Sequence, residues 1–282
     1  MAPSPRPTFD KPTAIPFERA TRHLWGDAES GEVLDWIYVS SSKIHQLVFG
    51  LPAGARFQHS DAHRTVFAAD EIYYVLSGTL ALANPETGEV QRVCAGEAVF
   101  FRRDTWHHGF NCGTEPLRVL EFFAPPPSTG SSSAYAKTKP NLATNRYTQD
   151  HLLGCWPMDR SKIEREACFT MVRDADLLWR AEGREQQTLV GLLIATEHLT
   201  VGKINLLPGQ ITDIETHGGD ESLYVLDGVL TIGVVATDST QWHELKAGDG
   251  FYLPQGTAHR YRNPSERPVT MLFGVAPQYL AR

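Results

Sequence analysis

A chain of 282 residues with 41% hydrophobic and 21% charged residues has the balance of a soluble folded protein and the length for two domains, each with its own core. Its net charge of −7 offers no basic stripe for nucleic acid, and no apolar run approaches membrane-spanning length. Cys94, Cys112, Cys155 and Cys168 show no metal or redox spacing, and the Pro-rich opening has no apolar signal core, so free thiols in a reducing cytoplasm are expected.

In chain order, residues 1–19 read as a Pro-rich arm, 20–140 as a first domain, 141–180 as a partly helical connecting segment and 181–282 as a second domain. The two domains repeat one another. Tyr74-Val-Leu-Ser-Gly78 recurs as Tyr224-Val-Leu-Asp-Gly228 at an offset of 150. Ala95-Gly96, His107, Asn111 and Ala124-Pro125 recur as Ala247-Gly248, His259, Asn263 and Ala276-Pro277 at 152, and Leu51-Pro-Ala-Gly54 matches Leu207-Pro-Gly209 at 155. Self-similarity at a fixed period marks a duplicated unit. Short strands parted by turns such as Asn84-Pro-Glu-Thr-Gly88 favour barrels or sandwiches. Between the halves, Pro125-Pro-Pro-Ser-Thr-Gly-Ser-Ser-Ser133 reads as a low-complexity linker. Helical patterns follow around Gln149–Leu153 and Asp174–Arg180, with Trp156 and Trp179 expected as buried anchors.

Chemistry concentrates in the second half. Glu215 and His217 are two apart, so on a strand they leave the same face. Glu221 heads an apolar strand after a Gly-Gly-Asp turn, and His259 follows the turn Pro254-Gln-Gly256. Two carboxylates and two imidazoles at strand ends could converge on one divalent cation, with Fe, Mn, Ni, Co and Zn all suited to oxygen and nitrogen donors.

These spacings resemble the cupin superfamily. Gly209, Glu215-x-His217, Glu221 and Gly228 match its first motif, and Gly248, Pro254-x-Gly256, His259 and Asn263 its second. The one departure is Glu215, where the family usually has His. The resemblance implies an all-β protein of two tandem cupin barrels (double-stranded β-helix or jelly-roll), a bicupin with short connecting helices, and a metal near a barrel mouth held by Glu215, His217, Glu221 and His259.

The first half departs further. Gly54 to Glu71 spans 17 residues against 12 from Gly209 to Glu221, so five residues are added. Counting forward from Gly54 puts Ser60 and Ala62 at the ligand positions; counting back from Glu71 puts Thr65 and Phe67 there. Glu71 and His107 match family positions, and His59 and His63 lie near enough in sequence to complete a second metal site. Arg102-Arg-Asp104 replaces the Pro-x-Gly turn; its arginines read as solvated charges, or Arg102 as a grip on a substrate carboxylate. A degenerate first barrel serving stability or homodimer contacts is the competing reading.

Three function classes follow. A metal with two imidazoles, a carboxylate and open positions suits a dioxygenase, with Glu215 or Glu221 as ligand and the other as base. A metal that polarises a carbonyl while a spare Glu moves protons suits an isomerase, lyase or aminohydrolase; Glu-x-His resembles the site of bicupin ureidoglycine aminohydrolases, which carry His where this chain has Glu221. A sugar-binding bicupin is the non-catalytic alternative. The dioxygenase is the leading expectation, with a pocket lined by Leu223, Val225, Phe251 or Tyr252, and Tyr261 for a small acid, phenol or diketone.

Overall fold

Runs that alternate or stay apolar for five to eight residues, broken by Gly, Pro and Asn, favour extended pairing over helix. The computed structural model describes residues 4–125 and 139–281. Its strands are β1 (Thr13–Ile15), β2 (Thr21–Asp27), β3 (Gly31–Ser40), β4 (His45–Leu51), β5 (Arg56–Phe57), β6 (Asp70–Ser77), β7 (Thr79–Ala83), β8 (Val90–Cys94), β9 (Ala98–Phe101), β10 (His108–Asn111), β11 (Leu117–Ala124) and β12 (Thr170–Val172). The second half continues with β13 (Leu178–Glu182), β14 (Thr188–Ala195), β15 (Thr200–Leu206), β16 (Asp220–Asp227), β17 (Val229–Ala236), β18 (Ser239–Lys246), β19 (Gly250–Leu253), β20 (His259–Arg262) and β21 (Val269–Ala276).

The duplication is visible in the pairing. One seven-stranded sheet runs β12-β9-β6-β11-β4-β3-β2 and the other β1-β19-β16-β21-β15-β14-β13, the same order with corresponding strands. Each faces a smaller sheet, β5-β10-β7-β8 in the first half and β18-β17-β20 in the second, and all pairs are antiparallel. The result is two β-barrels, as the resemblance to cupins implies. The edge strands cross between halves: β1 comes from the N-terminal arm yet pairs with β19 of the second barrel, while β12 lies beyond the linker yet pairs with β9 of the first.

Burial among the described residues divides into three large clusters and a small fourth around Val66 and Trp106. Val75, Leu82, Val99 and Val119 fill the first barrel, and Leu223, Val225, Phe251 and Phe273 the second. The third lies between the large sheets, where Trp36, Tyr38, Ile44 and Phe122 of one half meet Leu199, Val201, Tyr224 and Leu272 of the other. Phe122 is 1% exposed and packs against the bare backbone of Gly274, where a Cβ would come within 2.6 Å of its ring.

The connecting segment differs from expectation. Gln149–Leu153 makes only a 3-10 turn at Asp150–Leu152, the α-helix forms later at Arg160–Glu166, and Asp174–Arg180 becomes a 3-10 turn followed by β13. Trp156 and Trp179 are not buried anchors: they are 55% and 45% exposed. Trp179 sits on a sheet-edge strand opposite Gly191, which turns its ring outward over bare backbone. Most of the Pro125–Ser133 linker lies outside the described residues. The four cysteines are unpaired, and no helix among the described residues is long and apolar enough to cross a membrane.

Because the third cluster joins both halves, the barrels should unfold together. Urea denaturation is expected to show one transition, and Phe122→Ala should lower stability by about 3–5 kcal/mol, the usual cost of deleting a buried aromatic ring. Two separated transitions, only one of them shifted, would contradict this.

Candidate metal centre

Backbone pairing brings the second-half residues together. Glu215 N–H donates to His259 O at 2.8 Å and His259 N–H to Glu215 O at 3.0 Å, so the two face each other as a hydrogen-bonded antiparallel pair with side chains on one side. Gly256, at φ +75°, turns the chain so that its N–H donates to His217 O at 3.0 Å. Asn263 Nδ2 donates to Leu206 O and Arg267 O, closing the loop behind β20. Glu221, second residue of β16, projects into the same space from the large sheet.

Both imidazoles are oriented by carbonyls. His217 Nδ1–H donates to Tyr279 O at 2.8 Å and His259 Nδ1–H to Thr257 O at 3.0 Å, so each neutral ring presents the Nε2 lone pair inward. The two Nε2 atoms lie 3.4 Å and 3.1 Å from Glu221 Oε2, and His259 Nε2 is 3.8 Å from Glu215 Oε1. Tyr261 donates a hydroxyl hydrogen bond to Glu221 Oε1. Glu221 Oε2 is buried and has no hydrogen-bond donor among the described residues unless a ring is protonated. Lone pairs facing a carboxylate oxygen at such distances repel one another unless a proton or cation sits between them.

The electrostatics express that demand. Burial opposes charge on His259, but Glu221 and Glu215 outweigh it and push its pKa up to about 9. Burial likewise opposes ionisation of Glu221, yet the two imidazoles and the Tyr261 hydroxyl hold it below the usual carboxylate range. Burial raises Glu215 to about 7, His259 working against the rise and the neighbouring carboxylates with it. Oxygen and nitrogen atoms of Glu215, His217 and His259 lie within 4.8 Å of one another, the one such group among the described residues. With Glu221 beside them, the donors fit a divalent first-row metal.

The group opens onto a cavity of about 370 Å³ whose walls include Thr212, Ile214, Glu182 and Tyr279. The Glu215 side chain is 27% exposed, against 7% or less for His217, Glu221 and His259. Tyr279 stacks on His217 at 4.8 Å and its hydroxyl donates to Glu182 Oε2 at 2.7 Å. Sequence reasoning missed Tyr279 and Glu182; both lie outside the repeated motifs, and 97 residues separate them. Leu223, Val225, Phe251 and Tyr261, expected to line the pocket, are instead buried in the barrel core and do not border this cavity. Tyr252, by contrast, faces the other barrel and donates to Asp220 at 2.7 Å, because strand alternation puts Phe251 inside. Arg102 is also away from the pocket, bridging Asp70 and Glu197 across the two halves, so its charge serves the seam.

The first barrel follows the count back from Glu71. Thr65 and Phe67 line its cavity, and the Phe67 ring lies 5.8 Å from that of His107. The added residues form the preceding loop, where His59 Nδ1 lies 2.6 Å from His108 Nε2 and His63 Nδ1 lies 3.2 Å from Asp27 Oδ2. Glu71 and His107 face each other at 3.9 Å, but the structure does not bring His59 or His63 to them. Asp104, at φ +62°, takes the left-handed position held in the second barrel by Gly256.

Glu121 adds a second inward acid beside Glu71, absent from both motifs. Burial, with the charge of Asp35 adding, pushes its pKa up to about 8, and burial beside Glu121 lifts Glu71 well above its ordinary value. A carboxyl that stays protonated in the folded state binds more protons there than when unfolded, so its penalty is absent below the unfolded pKa and grows as pH rises towards the folded one. Glu121→Gln should therefore stabilise the protein at pH 8 relative to pH 5, measured by urea unfolding at both. Equal effects at the two pH values would contradict this.

The fold has known likenesses. The chain superposes on a variant of Bacillus subtilis oxalate decarboxylase with a TM-score of 0.62 and 13% identity, covering 99% of this chain and 81% of that one. It matches a Pseudomonas aeruginosa protein described as glyoxylate-induced with a TM-score of 0.66 and 14% identity, over 98% and 93% of the two chains. It matches AerE of Microcystis aeruginosa with a TM-score of 0.57 and 11% identity, over 91% and 97%. At these identities the likeness is one of fold. No curated protein matches by sequence. Residues 47–123 and 202–275 each match the cupin domain family, and the chain is therefore a two-domain member of the cupin superfamily.

Proposed function

We propose that this protein is a metal-dependent enzyme whose second barrel acts on a small oxygenated organic molecule, such as an acid, phenol or diketone, in a dioxygenase reaction. The observation that carries the reading is the buried Glu221 Oε2 facing two imidazole nitrogens whose other nitrogens are tied to carbonyls. His217, His259 and Glu221 would hold the metal as two imidazoles and one carboxylate, the donor set of non-haem iron oxygenases. When bound there, the metal supplies a site for substrate and dioxygen in the redox reading, or a Lewis acid in a non-redox one. Tyr261 holds Glu221 by one oxygen and so leaves the other to face the cation. Tyr279, stacked on His217, forms one wall of the pocket.

A non-redox reading, as lyase, isomerase or aminohydrolase, draws on Glu215. It is the most exposed of the four side chains and borders the cavity, where a carboxylate can take up or deliver a proton at its Oε atoms. The oxalate decarboxylase likeness is compatible with this reading through fold alone.

His217→Ala and His259→Ala should each lose most of the bound metal, measured by elemental analysis, while retaining the fold by circular dichroism. Full metal in both variants would overturn the site assignment. Glu215→Ala separates its two roles: retained metal with lost turnover makes it a base, whereas lost metal makes it a ligand.

Metal exchange separates the chemistries. Zinc has no accessible redox chemistry but is a competent Lewis acid. Turnover on a panel of small acids and phenols is expected to require oxygen and to fail with zinc. Undiminished anaerobic turnover with zinc would replace the dioxygenase by the non-redox reading.

A further inference from the structure

The first barrel encloses a cavity of about 110 Å³ that the metal chemistry of the second barrel does not use. Its walls are aromatic: Trp25, Phe49, Phe57, Phe67 and Phe123 all border it. Two carboxyl groups, Asp35 and Glu121, open into it although both residues are more than nine-tenths buried.

These acids stand where the repeated unit is otherwise apolar. Asp35 pairs with Phe49 and Phe49 with Val119; in the second barrel, the same ladder runs Val190, Ile204, Met271. Glu121 pairs with Tyr73, and its counterpart Phe273 pairs with Leu223. The first barrel thus carries Asp and Glu at positions where its twin carries Val and Phe. Burying a carboxyl group in an aromatic chamber costs stability unless something compensates it. His23 Nδ1 lies 3.3 Å from Asp35, and Glu121 hydrogen bonds to Glu71, another acid. Arg6 borders the cavity from the N-terminal arm, and its charge bears on His45.

A second observation points independently to a ligand. Thr65 borders the cavity and is 2% exposed, yet its Oγ1 has no hydrogen-bond partner among the described residues. An unpaired buried hydroxyl is unfavourable unless a guest supplies the partner.

We propose that the first-barrel cavity binds a small organic cation, an ammonium-bearing molecule, without a metal. Aromatic faces attract a desolvated cation through their quadrupoles, Asp35 provides the neutralising charge, and the entering cation displaces to solvent the proton that Glu121 holds in the empty cavity. Thr65 Oγ1 accepts an N–H or O–H of the guest. The volume, below the roughly 150 Å³ of an apolar cavity that holds benzene, admits only a small ammonium head, with the rest of the guest at the open mouth. This site stands apart from the second-barrel reaction and does not depend on its assignment.

The test is calorimetric titration of the full-length protein with three probes of one shape: choline, neutral 3,3-dimethylbutan-1-ol and anionic 3,3-dimethylbutanoate. Choline is expected to bind about tenfold or more tightly than either isostere, the scale of a desolvated cation–π contact. His217→Ala should bind choline as the wild type does. Asp35→Asn and Glu121→Gln, which keep side-chain shape, should each weaken choline about tenfold and leave the alcohol unaffected. Binding of none of the probes, preference for the alcohol or the anion, loss of choline binding in His217→Ala, or unchanged binding in both charge variants would each overturn the proposal.

Discussion

The apolar seam between the two large sheets governs what each barrel can be. Trp36, Tyr38, Ile44 and Phe122 fill it from one side, and Leu199, Val201, Tyr224 and Leu272 from the other. Close approach requires bare backbone at Gly274 under Phe122 and at Gly250 beside Tyr38. Polar groups crossing the seam are paired: Tyr38 donates to Gly248 O at 2.6 Å, and Ser222 to Gln46. Lys43 Nζ, Ser41 Oγ and the Tyr252 hydroxyl all donate to Asp220, which immediately precedes Glu221. The first barrel therefore fixes the strand that delivers the second barrel's central carboxylate. Local packing and site chemistry are linked through one residue of β16.

Within that frame the two interiors have taken opposite solutions to buried charge. The second gathers two carboxylates and two imidazoles around a point, where one divalent cation can compensate all of them. The first replaces the equivalent ligands with Thr65 and Phe67, keeps Glu71 and His107, and adds Asp35 and Glu121 in an aromatic chamber. There burial lowers His107 to about 4, so its ring is neutral near pH 7 and provides no counter-charge. Asp35 is raised to about 6 by burial despite His23 at its side. One scaffold thus holds a cation-seeking cluster built of nitrogen and oxygen and another built of acids and rings.

Part of this was legible in the sequence. The Gly-x5-Glu-x-His-x3-Glu spacing and the Pro-x-Gly turn put Glu215, His217, Glu221 and His259 at strand ends beside turns, and the resemblance to cupins implies one barrel mouth for all four. The repeat offsets likewise identify two equivalent sheets. What spacing does not carry is long-range pairing. Tyr279 against His217, Arg102 against Glu197, and Tyr252 on the seam side of β19 depend on how separate segments dock. The weak helical patterns near Gln149 and Asp174 were overridden by sheet pairing and by turns, since a single turn of helix gains too few hydrogen bonds to persist alone. Asp35 and Glu121 escaped notice because a single acid in an apolar strand resembles an outward-facing residue until its register is known.

The crossing of β1 and β12 gives the chain an unusual dependence on its own continuity. The strand edging β19 begins at Thr13, at the far end of the sequence, while the strand edging β9 is supplied from beyond the linker. A cut between Pro125 and Lys139 would not yield two whole barrels: each fragment would carry an edge strand belonging to the other. The fragments could regain their edges only by docking back together, as complementing halves of one protein. Gene fragments divided at the apparent domain border are thus poor units for separate expression, whereas co-expressed halves retain every strand. The smallest piece able to close both sheets extends from the arm to β21, which makes the duplicated molecule, and not its repeat, the folding unit.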